Sequence, residues 1–288
     1  MINYEYEDGL ILLKQQRENL GQIMESLNQI KPRLKATENY LEIHLINYLF
    51  QLSSIEVLAR GTRIFPTIEG EFIDLSSFYV LTRAVIENYF TIHYLYFEPS
   101  NDFELSKFRY WIYHIHGLNI RQNLLNEIPP NSEDYIKIQN EKIVLQDYIS
   151  ELEKNTVFLA LDHKKQKALR KGRPPRDISY TQLISKSYFG TSMFKHTWEH
   201  LCNFAHTESV SIIQLNTIFT KPESLQNTPS LIRLYVFGII MLTSSLFVNL
   251  NKRFPEVNAK YETLSAEFRL KNEVWFKISQ SDIDESAI

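Results

Sequence analysis

Read for its apolar positions, the chain repeats one rhythm. Leucine and isoleucine recur at three- and four-residue spacing from Glu5 to Ile30, the period of a helix with one face in a core. Pro32, Pro66, Pro99, Pro129, Pro130, Pro174, Pro175, Pro222, Pro229 and Pro255 then punctuate the chain, because proline removes an amide donor and clashes with the preceding helical turn. Between them the pattern predicts a second helix over Leu34–Arg60, closed by Gly61. A third runs from a cap at Asp74 to about Phe97, and a fourth from a cap at Asp102 to before Pro129. Asn131 or Ser132 caps a fifth, with Glu133 and Asp134 well placed in its first turn. A basic loop follows, then shorter helices over Ile178–Tyr188 and Thr191–His206. Thr228 and Pro229 open a long apolar helix to Lys252, and a last helix spans about Glu256 to Phe276. Ile64 to Glu71 reads as a hinge or a short hairpin. No series of short alternating strands and no repeat of fixed period is present.

Two of these helices lack a polar face. Between Leu75 and Phe97 the formal charges are Arg83 and Glu87, and between Leu234 and Leu250 there are none. A helix apolar all round is normally surrounded by protein. The expected fold is therefore all-α: a multi-helix bundle with two central apolar helices, about 72–97 and 229–252, and more charged helices outside. The sequence reads as a single helical domain over 1–279, with a helical hairpin over 1–61 as a candidate sub-unit packing on the rest and an acidic tail over 280–288. Leu234–Leu250 is only 17 residues long and includes Thr243, Ser244, Ser245 and Asn249, which favours a core helix over a membrane span.

Composition sharpens this picture. In 288 residues there are 8 Gly and 10 Pro, too few glycines for a turn-rich β fold or a glycine-rich phosphate loop. Cys202 is the single cysteine, which excludes an intrachain disulfide framework and a multi-cysteine zinc site. The first ten residues carry Glu5, Glu7 and Asp8 instead of a basic start and apolar run, so a cytoplasmic protein with no membrane association is expected. The net charge of −3 conceals an asymmetry. His163 to Arg176 holds seven Lys or Arg and no acid, leaving −10 for the rest of the chain.

Three constellations could carry chemistry. Arg83 and Glu87, four apart, share a helix face with Ser76, Val80, Phe90 and Tyr94. That setting is poorly hydrated, where an ion pair either pins two helices together or serves a ligand. On Thr191–His206, the side chains of His196, Glu199, His200, Asn203 and His206 fall within an arc of about 120°, opposite Phe194, Trp198, Leu201 and Ala205. This helix is either ordinarily amphipathic or a histidine-rich site. His196-Thr-Trp-Glu199-His200 also spells H-x-x-E-H, a metalloprotease spacing, but without a further ligand or a mixed α/β context no metal and no cofactor is expected. Cys202, beside Leu201, is expected to be buried and inert. The third constellation is the basic loop over 163–176: Lys164, Lys165, Lys167, Arg170, Lys171, Arg173 and Arg176. Such a cluster attracts phosphates whatever the sequence they carry. No nucleotide-binding loop and no G-x-S-x-G elbow is present.

Leu81-Thr-Arg83-Ala-Val-Ile-Glu87-Asn-Tyr-Phe and Trp198-Glu-His-Leu-Cys-Asn203-Phe-Ala-His206 together resemble helical bacterial families related to the HEPN (higher eukaryotes and prokaryotes nucleotide-binding) superfamily, over roughly Phe72 to Leu215. The resemblance implies a helical bundle, often dimeric, and in many members a metal-independent ribonuclease of toxin or antiviral systems. It matches Asn203 and His206 to the family's Asn and His. No Arg stands four to six residues before His206, and Arg83 is the candidate to supply that guanidinium from the neighbouring helix. The function expected is RNA-directed: His206 as general acid or base, Arg83 on the scissile phosphate, Glu87 orienting it, Asn203 and His200 beside them, and RNA held by the basic loop. The competing expectation is a non-catalytic subunit that forms a homo-oligomer or binds a protein partner.

Overall fold

Helix starts are set by the caps the sequence offers. Asp74 accepts the N–H of Ser77 at 3.1 Å, Asp102 that of Leu105 at 2.9 Å and Ser132 that of Tyr135 at 3.2 Å, each satisfying a first-turn amide that has no partner within the helix. A computed structural model of the chain describes residues 6–31, 34–63, 71–99, 101–187, 191–205, 209–221 and 228–280. The chain is all-α: the described residues form thirteen α-helices and no strand beyond an antiparallel bridge between Thr62 and Phe72. That bridge joins the two flanks of the segment read as a hinge or hairpin, whose residues 64–70 lie outside the described residues.

The described residues group into two compact units, the first up to Ile92 and again from Ile184, the second over His93–Leu183. In the first unit, α1 (Tyr6–Ile30) and α2 (Leu41–Arg60) pack side by side, and α3 (Leu75–Ile92) packs on α2. After the return come α9 (Thr191–Ala205), α10 (Ser209–Thr220), α11 (Thr228–Arg253), α12 (Pro255–Glu262) and α13 (Ala266–Gln280), numbered after the second unit's helices. The long helix α11 packs against α1, α3, α12 and α13, and α9 packs on α3. From Ile239 to Phe247 every residue of α11 is buried, including Thr243, Ser244 and Ser245.

Two of its hydroxyls are answered from neighbouring helices. Gln16 of α1 donates to Ser244 Oγ at 2.8 Å and to the Ile240 carbonyl at 3.2 Å. Thr243 gives its own hydrogen to the Ile239 carbonyl at 2.8 Å, so Tyr48 of α2 donates to Thr243 at 3.0 Å. Buried hydroxyls without such partners would cost about 1–3 kcal/mol each. Thr228–Arg253 is long and apolar enough to cross a bilayer, and 61% of its most apolar window is buried in the fold. The first turns differ from the expected all-round burial, since Leu231 and Leu234 are exposed.

The second unit contains α4 (Phe103–Asn123), α5 (Glu133–Glu153), the short α6 (Thr156–Leu159) and α7 (His163–Arg170), and α8 (Tyr180–Lys186) carries the chain out of it. It opens with a π-helical turn, His93–Phe97, closed by the Glu98 N–H on the His93 carbonyl at 2.9 Å. Within this unit Tyr94 packs on Arg109. Arg109 is 1% exposed. Its guanidinium donates to Glu98 and to the Tyr94 carbonyl, lies 4.4 Å from the Tyr94 ring centre, and faces Asp177. The Tyr94 hydroxyl in turn donates to Asp177 at 2.6 Å.

Three expectations are corrected. The basic segment is not all loop: His163–Arg170 is helical, capped by Asp162 on the Lys165 N–H at 2.9 Å and ended by Gly172 at a φ of +67°. Ser209–Thr220 forms a helix that the sequence reading passed over; its uncharged run of Ile, Thr and Val has no cap that announces it. The last expected helix is two, parted at Thr263–Ser265, where Ser265 accepts the Phe268 N–H and starts α13.

Candidate functional site

Tyr79, Arg83 and Glu87 stand four residues apart on α3, so they form one stripe. That stripe faces α9. Tyr79 meets Phe204 near the end of α9, with ring centres 4.5 Å apart, while Glu87 meets Trp198 nearer its start. The two helices therefore run antiparallel.

The Glu87 end is ionic. Arg83 donates its Nε–H to Glu87 at 2.8 Å, Trp198 donates its indole N–H to the same carboxylate at 3.2 Å, and the guanidinium carbon lies 5.8 Å from the Trp198 ring centre. The side chains of Arg83 and Glu87 keep 23% and 33% of their exposure. The pair is half-buried, wetter than its apolar neighbours in sequence suggested. Cys202, expected to be buried, is also half-buried and feels the charges of Arg83, Glu87 and Glu199; desolvation raises its thiol pKa. It is held as a thiol, a weak nucleophile.

The Tyr79 end is neutral and concave. A cavity of about 450 Å³ opens between α3, α9, α10 and α11, within the size range of small-molecule sites. Tyr79 and Phe204, nearly fully buried, form its floor, and the exposed Ile213 and Leu231 its rim. Against this floor the Tyr235 hydroxyl sits 2.8 Å from His200 Nδ1, and the two rings are near parallel at 21°. Gln214 lines the same cavity, and its side chain favours the protonated form of His200. Burial lowers the His200 pKa and raises those of the phenols, Tyr79 to about 12. All three are therefore uncharged near neutrality. The Tyr235 O–H donates to a neutral imidazole, and none of the described residues that line the cavity carries a formal charge.

The predicted residues are thus sorted into separate places. Arg83 and Glu87 come together, with Trp198 as third member. His200 turns into the cavity with Tyr235, while His196, 72% exposed, stands 3.6 Å from the exposed Glu199. The H-x-x-E-H residues do not converge. Asn203 is half-buried on α9, and His206 lies outside the described residues. Lys164, Lys165, Lys167, Lys171 and Arg173 of the second unit are exposed. Arg170 is held by Glu153 at 2.5 Å, and Arg176 stacks over Tyr180 at 4.1 Å.

The sequence reading missed Tyr79, Gln214 and Tyr235 and set Trp198 among the anchoring residues. The four-residue stripe Tyr79, Arg83, Glu87 was the available signal for the first. Gln214 and Tyr235 sit in long apolar stretches where nothing local marks them. Comparison of the chain with models of protein families, with curated proteins and with solved structures finds no match to any of the three.

Proposed function

We propose that the chain is an RNA-directed helical protein, a metal-independent ribonuclease of HEPN-like character serving prokaryotic antiviral or toxin defence. The observation that supports this reading is the packing of α3 on α9, the helices that carry the R-x-x-x-E and histidine motifs, with Arg83 held by Glu87 and faced by Trp198. In this reading Arg83 neutralises charge developing on the scissile phosphate. His206, following α9, takes the proton of the attacking 2′-hydroxyl and later returns one to the 5′-oxygen that leaves. The products are a 2′,3′-cyclic phosphate and a 5′-hydroxyl, and no metal is consumed in the balance. The exposed lysines of the second unit add sequence-independent attraction for the strand.

The test is incubation of the whole chain with single-stranded RNA in EDTA. Cleavage to cyclic-phosphate ends is expected, lost in His206→Ala and slowed about 100-fold or more in Arg83→Ala. Intact RNA, or cleavage that survives both substitutions, overturns the reading.

A second reading, a non-catalytic subunit that pairs with its own copy, rests on α2. Ile43, Phe50 and Val57 recur every seven residues and are 56%, 70% and 64% exposed. The exposed positions among them are Asn47, Ser53 and Ser54, so this face carries no charge to repel a second copy. Light scattering on the eluted protein decides it. A dimer that Phe50→Glu converts to monomer supports assembly through α2, and a wild-type monomer at high concentration excludes it.

A further inference from the structure

We infer that the cavity between α3, α9, α10 and α11 is a binding site for an uncharged nucleobase. The ligand class follows from what the walls offer and what they withhold. With no Lys, Arg, Asp or Glu among the described residues of the lining, these walls offer nothing to offset the desolvation of a phosphate, a carboxylate or an ammonium group. Its floor is aromatic: Tyr79 and Phe204 lie edge to face, and Tyr79 also meets Tyr235, with ring centres 5.0 Å apart. Such surfaces favour a flat ring, which stacks on them and loses its hydration there.

A purely apolar ligand would leave the polar groups unused. The Tyr235 hydroxyl and the His200 imidazole are already committed to each other, which makes that pair a fixed wall. Gln214 lines the cavity together with His200, and a primary amide has two donors and two acceptor lone pairs. It retains both a donor and an acceptor for a ring edge. An adjacent N–H donor and ring-nitrogen acceptor, as on the Hoogsteen edge of adenine, is the pattern an amide matches with two parallel bonds. Thr217, also in the lining, gives its hydrogen to the Ile213 carbonyl at 2.9 Å and so presents its oxygen as an acceptor.

Two sources could deliver such a base: a free nucleoside, or one unstacked residue of an RNA strand. The strand source rests on the RNA-directed function proposed above; the ligand class does not. The geometry suits a strand, because Arg83 lies one helical turn from Tyr79 on the same stripe of α3, about 6 Å along the axis. A base on Tyr79 would then leave its phosphate towards a cation.

The test is titration of the whole chain with adenosine, followed by calorimetry. Saturable binding is expected. Inosine, whose edge presents an acceptor where adenine has a donor, should bind roughly tenfold or more weakly. Gln214→Leu should erase the preference for adenosine over inosine, and Phe204→Ala should weaken both by roughly ten- to a hundredfold. Gln214 is only half-buried, so its variant keeps the test valid where Phe204→Ala fails to fold. Absence of saturable binding by folded wild-type protein at millimolar adenosine overturns the inference, as does binding that Gln214→Leu leaves unchanged. A short oligoadenylate binding far tighter than adenosine identifies the strand as the source, and equal affinities identify the free nucleoside. Adenosine binding in a protein that leaves RNA uncut and unbound would sustain the cavity while removing the ribonuclease. RNA cleavage without nucleoside binding would do the reverse.

Discussion

Trp198 and Arg83 donate to the same oxygen of Glu87, at 3.2 and 2.8 Å, so one carboxylate oxygen ties α9 to the guanidinium on α3. A neutral N–H bond from a neighbouring helix thereby fixes the orientation of a charged pair. An i,i+4 ion pair alone contributes only about 0.3–0.5 kcal/mol and leaves its side chains mobile.

Trp198→Phe tests this tie, since it keeps most of the ring and removes the N–H. A loss of about 1 kcal/mol is expected in urea unfolding. The double variant with Glu87→Leu should lose less than the two single losses combined, because both remove that bond. Additive losses would show that the indole contributes packing alone.

Gly172 stands at a φ of +67°, and a Cβ placed there would lie 2.9 Å from the backbone of His116. Its carbonyl also sits 2.6 Å from His116 Nδ1. Gly172→Ala therefore combines backbone strain with a clash that no rotamer relieves. A destabilisation of about 2–4 kcal/mol is expected, read as a lower Tm. A shift under about 1 kcal/mol would mean that the ends of α4 and α7 yield.

His93 is buried, and desolvation holds its pKa at about 4, well below the usual 6.5. The unfolded chain takes up its proton near pH 6.5, whereas the folded chain resists until about pH 4. Stability is thus full above 6.5 and falls as the pH drops through that window, by on the order of 3 kcal/mol from this one ring. Burial lowers the pKa values of His44 and His200 too, and they add in the same direction. Denaturation midpoints between pH 7 and 4 should decline in the wild type and decline less in His93→Gln. Equal slopes would remove His93 as a source of acid lability.

Lys164, Lys167 and Lys171 are exposed on and beside α7. If they meet RNA phosphates, replacing all three by Gln lowers the slope of log affinity against log salt by up to about 2–3, and does so for every RNA sequence alike. An unchanged slope would take this segment out of the nucleic-acid reading.

The helices were legible because caps and prolines are local signals. Asp74, Asp102 and Ser132 act as their sequence neighbourhood indicates. The central place of α11 was legible from its lack of charge, although the partners of Thr243 and Ser244 come from residues more than 190 positions away. The Arg83–Glu87 pair could be read from spacing. Its third member could not, since Trp198 reaches Glu87 only through the crossing of two helices. The cavity was the least legible feature, being made by Tyr79, Phe204, Gln214 and Tyr235 on four helices. The π-helical turn over His93–Phe97 was not legible either, since no residue pattern announces it.

The buried stretch of α11 also bears on how the chain is made. Its covering helices come from opposite ends of the described chain, α1 from residues 6–30 and α13 from residues 266–280. The second unit, by contrast, is one continuous stretch, His93–Leu183. During vectorial synthesis that stretch can close while the ribosome is still working, whereas the longest helix keeps the face that α13 covers exposed until residue 280 has emerged. Ribosome-bound chains that stop between residues 253 and 266 are the species that would engage a holdase chaperone.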